Sequence, residues 1–132
     1  MIAFAAIVGA VCGLAVIFTM YHNGMLAERS GAAILLSAIA VFYPVFAVIS
    51  GDILALVLHL AIFAGFSALA MRGFHQGLHL IAGGLIAHGL FDLGVMFIHI
   101  TGPTWWPAFC AGVDIFAGAA LLRLIQTGKA TP

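Results

Sequence analysis

The sequence predicts an all-α fold, a polytopic transmembrane bundle of five helices, and three observations predict it. The chain of 132 residues is 65% hydrophobic and only 6% charged, whereas soluble domains run near 25% charged. Its mean hydropathy is +1.28. Five separate stretches reach the ~20 apolar residues needed to cross ~30 Å of hydrocarbon at ~1.5 Å per residue. The same composition excludes other classes. Four Lys/Arg at a formal net charge of zero cannot cover a phosphate backbone, so nucleic acid is excluded as a partner. A chain this apolar is not disordered. Its 16 glycines show no collagen period and its two cysteines are too few for a disulfide scaffold.

The first span runs Ile2–Tyr21. No Lys or Arg precedes its apolar run, which exceeds the ~7–15 residues of a signal core, so it reads as a retained helix. Gly9 and Gly13 stand at GxxxG spacing, which permits close helix approach either within the chain or in a homo-oligomer. The break HNGMLAERS leads to the second span, Gly31–Ser50, where Tyr43–Pro44 should kink the helix. Only Gly51–Asp52 separates it from the third span, Ile53–Met71, so these two form a tight antiparallel hairpin. RGFHQG then precedes the fourth span, Leu78–Ile100. After the TGPTW segment, the fifth runs Trp106–Ile125, with Trp105 and Trp106 as an interfacial anchor. Cys12 and Cys110 differ in depth by ~10 Å along their helices, too far for a disulfide.

Positive charge sets the expected orientation. Arg29 lies in the first loop, Arg72 in the third, and Arg123 and Lys129 at the C-terminal end. Five spans bring all four to one face, which is then cytoplasmic, with the N-terminus outside. The expected location is a bacterial inner membrane, with membrane lipid as surroundings.

Ionisable groups at bilayer depth are costly and mark a functional site by default. Counted from the outer end of each span, His59 lies ~9 Å deep, Asp92 ~12 Å and Asp114 ~12 Å. His88 is one turn below Asp92, in an i, i+4 pair that can address one point. His99 stands near the outer mouth. Imidazoles with carboxylates form an N/O ligand set for a divalent transition metal, zinc or iron first, and a dication would neutralise Asp92 and Asp114 together. The expected ligands are therefore His59, His88, Asp92 and Asp114, with Asp92 and His99 as candidate catalytic groups and His99 as proton shuttle. Haem on His59 and His88 is a further variant. A metal-free relay, or a purely structural His–Asp network, uses the same residues.

A second polar group, His22, Glu28, His75 and His79 with Arg29 and Arg72, lies toward the cytoplasmic side. His75 and His79 share an i, i+4 spacing that can chelate. Interfacial side chains also reach water at little cost, so this set reads first as a solvated face containing a Glu28–Arg pair, with a regulatory or second metal site as the alternative.

From His88 onward the chain resembles a family of small bacterial multi-pass membrane proteins classed as a domain of unknown function. The residues carrying the resemblance are His88, Asp92, His99, Gly102, Pro103, Cys110, Ala111 and Asp114, over about the last third of the sequence. The family often has a His–His pair where only His99 stands here, and HNGMLAERSG has no counterpart in it. The resemblance implies a multi-pass architecture and a site at these residues. It supplies no reaction.

Three functions compete on these residues. The first is a metal-dependent membrane hydrolase or oxidoreductase acting on a lipid-soluble small molecule. The second is a proton- or cation-coupled transporter or channel subunit, although the stretch between the two polar groups is nearly all aliphatic. The third is a non-catalytic assembly protein.

Overall fold

The computed structural model describes residues 1–98 and 102–130. Among these residues lie six helices: α1 Ile2–His22, α2 Ser30–Ala40, α3 Phe42–Ser50, α4 Ile53–Gln76, α5 Leu78–Val95 and α6 Trp106–Gln126. Joined across Val41, α2 and α3 make one span, so five helical segments are long and apolar enough to cross a membrane. The architecture is the expected helical bundle.

The break at Val41 has a local cause. Pro44 cannot donate to the carbonyl of Ala40, and its ring crowds that carbonyl, so the ladder is interrupted one turn upstream of the proline. The hairpin after α3 is closed by two backbone bonds, Gly51 N–H to Val48 O at 3.1 Å and Asp52 N–H to Ala47 O at 3.1 Å. Gly51 takes the left-handed φ of 72° that this ending needs. Asp52 then caps α4 by accepting from the Ala55 N–H at 2.9 Å.

Two boundaries differ from expectation. α4 continues through Arg72–Gln76 and stops only at Gly77, whose φ of 145° ends the helix. The expected RGFHQG loop is thereby reduced to a sharp corner. α5 ends at Val95 instead of Ile100. Beyond it, Phe97 N–H bonds to Gly94 O and Ile98 N–H to Val95 O, a tightened i→i−3 pattern that closes a helix end.

α6 lies between α1 and α5; α5 packs in turn on α4 and α2, and the α2–α3 span packs on α4. Small residues form the seams. A Cβ at Gly9 or Gly13 would run into the backbone of Phe109 or Val113, and one at Gly112 into the backbone of Ala6 and Ala10. Gly9 and Gly13 are thus covered by α6 of the same chain. The half of the bundle near Ile17, Leu36, Leu78, Ile81, Leu85 and Leu121 is a buried aliphatic core. Phe4, Ile7, Val11 and Phe18 of α1 and Ile53, Leu54, Val57 and Leu58 of α4 point outward. Such stripes suit a lipid-facing surface, since lipid tails are as apolar as the side chains.

Gly9→Leu is expected to lower unfolding stability by about 1–3 kcal/mol, because the added side chain can only push α1 off α6. Gly83→Ala, where a Cβ meets open space, is expected to stay within about 0.5 kcal/mol. Unfolding of both variants in mixed detergent–SDS micelles measures the difference.

Candidate metal centre

One glycine and one proline arrange the site. Gly89 on α5 lets α6 come close: a Cβ there would lie 3.1 Å from Asp114 Cβ and 2.7 Å from Ile115 Cγ1. Asp114 is thereby brought against His88, one residue before that notch. The break imposed by Pro44 starts α3 afresh and buries Tyr43 in the same place. Helical spacing adds Asp92 one turn after His88.

The resulting cluster is closed to the surface. His88, Asp92 and Asp114 are each 0% exposed. His88 Nδ1 lies 2.7 Å from Asp114 Oδ2 and 3.4 Å from Asp92 Oδ2. Tyr43 donates its hydroxyl to Asp92 Oδ1 at 2.5 Å. Three buried atoms, His88 Nε2, Asp92 Oδ2 and Asp114 Oδ1, have no hydrogen-bond partner among the described residues. A buried polar atom left unpaired costs about 1–3 kcal/mol, so the two carboxylate oxygens call for an additional partner; Nε2, across the ring from Nδ1, cannot share an ion that Nδ1 holds.

One ligand atom from each of His88, Asp92 and Asp114 falls within 4.8 Å of the others. Among the described residues no other group of three or more His, Cys, Asp or Glu meets in this way. The spacing can be tested against a metal. Bonds of ~2.0–2.2 Å to nitrogen and oxygen at tetrahedral angles put neighbouring ligand atoms roughly 3.3–3.5 Å apart. The 3.4 Å between His88 Nδ1 and Asp92 Oδ2 is such an edge. Coordination by Asp114 requires only that its carboxylate turn from its hydrogen bond with His88 to share the ion. Charge also fits: two carboxylates with a dication and a neutral imidazole sum to zero, the condition a bilayer interior favours.

The other expected ligand, His59, stands behind Tyr43. Its ring stacks on the phenol at 5.2 Å between centroids and 18° between planes, outside the group of three. Its Nδ1 is buried without a partner among the described residues. Tyr43 also packs against His88 at 6.4 Å, so the phenol fills space beside both imidazoles, and pairing His59 with His88 across a haem gains nothing from this packing. Phe66 meets the His88 ring edge-on at 4.7 Å, and Phe91 meets Tyr43 at 90°. At the α6 N-terminus Trp106 packs on Phe42 at 4.8 Å and Phe46 at 5.3 Å, an aromatic layer one turn before Cys110 and two turns before Asp114.

His99 lies outside the described residues. His22, Glu28, His75 and His79 are all exposed, and the structure does not bring three of them to one point. Arg29 nearby donates to the carbonyl oxygens of Phe74 at 3.5 Å and His75 at 3.4 Å, which ties the α1–α2 connection to the end of α4. Both cysteines are free thiols, Cys12 exposed and Cys110 buried.

Tyr43 is the site residue that sequence reasoning missed. The signal was present: a phenol inside an apolar span needs a hydrogen-bond partner, and the spans offering buried acids are few. No family model, no curated protein and no solved structure matches the chain, so the site rests on its own geometry.

His88→Ala strands two buried acids without their base and is expected to cost about 3–5 kcal/mol of stability. His79→Ala, on the exposed face of the same helix, is expected to change it by less than about 0.5 kcal/mol. Equal losses in detergent unfolding would show that the cluster has no special weight.

Proposed function

We propose that this multi-pass membrane protein holds a divalent transition metal, zinc or iron, on His88, Asp92 and Asp114, and acts through it on a lipid-soluble small molecule. One observation carries the reading: an imidazole and two carboxylates from two helices converge within 4.8 Å in a fully buried position. Structural zinc sites use four protein ligands, whereas catalytic sites use three and keep a position open. Three here is the second pattern. A dication so held supplies Lewis acidity toward a substrate oxygen or a water.

The surroundings limit what can reach it. With every ligand at 0% exposure, a substrate enters only by displacing packed side chains, and Tyr43, Phe66 and Phe91 are the aromatic ones against His88. Such walls suit a hydrophobic molecule arriving from the bilayer. The antiparallel order of the spans puts Arg29, Arg72 and Arg123 at the end opposite the hairpin at Gly51–Asp52. By the positive-inside rule that end is cytoplasmic, in a bacterial inner membrane, and the centre lies in the outer half. His99, which lies outside the described residues, is the candidate proton shuttle.

A second reading, a metal-free proton relay of the kind a cation- or proton-coupled transporter needs, is favoured by a different observation. The Tyr43–Asp92 and His88–Asp114 hydrogen bonds form two pairs from three helices without any ion, and the 3.4 Å approach of His88 Nδ1 to Asp92 Oδ2 sets the pairs side by side. Elemental analysis separates the two. After loading with zinc or iron and removal of excess, the parent protein is expected to retain about one ion per chain, and His88→Ala and Asp92→Asn to lose it. A parent melting temperature that rises on loading and falls with a chelator is expected too, since an ion at a thousandfold excess over Kd adds about 4 kcal/mol. A parent that retains no stoichiometric metal overturns the first reading and leaves the relay.

A further inference from the structure

We propose that Tyr43 is a positioning residue for this centre: its hydroxyl occupies Asp92 Oδ1 and so reserves Oδ2 as a single ligand atom, which tunes the site toward small transition-metal ions. The inference rests on the metal reading above and adds a determinant of which ion is held. An aspartate can bind an ion through one oxygen or both. Two-oxygen binding suits large, flexible sites such as those for calcium at 2.3–2.6 Å, whereas a tetrahedral zinc-type site takes one oxygen from each carboxylate. At Asp92 the two oxygens are unlike. Oδ1 accepts the Tyr43 hydroxyl at 2.5 Å. Oδ2 has no hydrogen-bond partner among the described residues and faces His88 Nδ1 at 3.4 Å.

The phenol is held well enough to impose that difference. Tyr43 is 2% exposed, with His59 stacked on one face and Phe91 set edge-on against it. Its helix begins at Phe42, after the break upstream of Pro44, so the kink in the second span has a use: it delivers this hydroxyl. His59 then supports the centre from behind Tyr43. Hydrogen bonds to metal-ligating groups of this kind are worth about 10–100-fold in metal affinity.

The test uses cobalt(II), a spectroscopic probe for zinc-type sites, on full-length protein in detergent. Tyr43→Phe is expected to bind cobalt about 10–100-fold more weakly than the parent. Its visible d–d absorption should weaken as Asp92 closes on the ion with both oxygens, and its discrimination against calcium should fall. A hydroxyl that merely satisfied a buried acid would alter stability and leave the spectrum and the selectivity unchanged. A variant with the parent's affinity and spectrum therefore overturns the proposal while the metal centre stands. A parent that takes up no cobalt removes the centre itself. Should the variant not fold, Tyr21→Phe leaves Tyr43 as the sole tyrosine of the two, at no cost to the cluster. Ultraviolet resonance Raman bands of that phenol are then expected to report a strong donor both before and after loading. Loss of the donor bond on loading overturns the proposal.

Discussion

The contact of His88 with Asp114 joins α5 to α6 in a buried place, with Asp92 beside both. In water such a pair would be worth little, because each group would find solvent instead. Inside a bundle surrounded by hydrocarbon, separation leaves a base and an acid unpaired in a medium that penalises both. The rest of the architecture follows from keeping them together. Gly89 is small because α6 must come within reach, and Gly118 repeats the device one turn beyond Asp114 on α6, against Ile86 and the Ala82 carbonyl of α5. The pair thus sets the crossing of α5 and α6, and that crossing sets which faces of both helices remain for lipid.

Small residues and polar residues here serve one purpose. Helices in lipid gain nothing from hiding apolar side chains, so close backbone approach and hydrogen bonds have to hold them. The α1–α6 seam uses the first through Gly9, Gly13 and Gly112. The α3–α5 contact uses the second, through Tyr43 and Asp92. α5 and α6 use both, which is why they carry most of the buried residues.

Much of this was legible in the sequence. Span number followed from hydropathy, the tight hairpin from Gly51–Asp52, and the meeting of His88, Asp92 and Asp114 from depth and spacing. What escaped has physical reasons. Hydropathy extends the fourth span to Ile100, yet α5 ends at Val95. Reckoned from Val95, His88 is about 10 Å down its helix and Asp92 only about 4–5 Å. His88 is thus the residue level with Asp114, and it is the one that bonds to it. His59 also shares that level, but depth says nothing of how a helix is rotated about its axis. α4 turns His59 onto the Tyr43 ring. In the sequence Tyr43 stands out only as the neighbour of a helix-breaking proline, because no periodicity marks a single phenol in an apolar run.

The placement of α1 has a bearing on how the chain assembles. It rests on α6, the helix farthest from it in the chain, so during synthesis it must cross the bilayer and wait without its neighbour. Its mean hydropathy of 2.5, matched by 2.5 and 2.4 in the next two spans, lets it reside there alone. The two spans that carry the acids fall to 1.5 and 1.8 and emerge last. Of the five, the segments least able to tolerate lipid therefore follow the three most apolar ones, and α6 on arrival meets both its acid-bearing neighbour α5 and the waiting first helix.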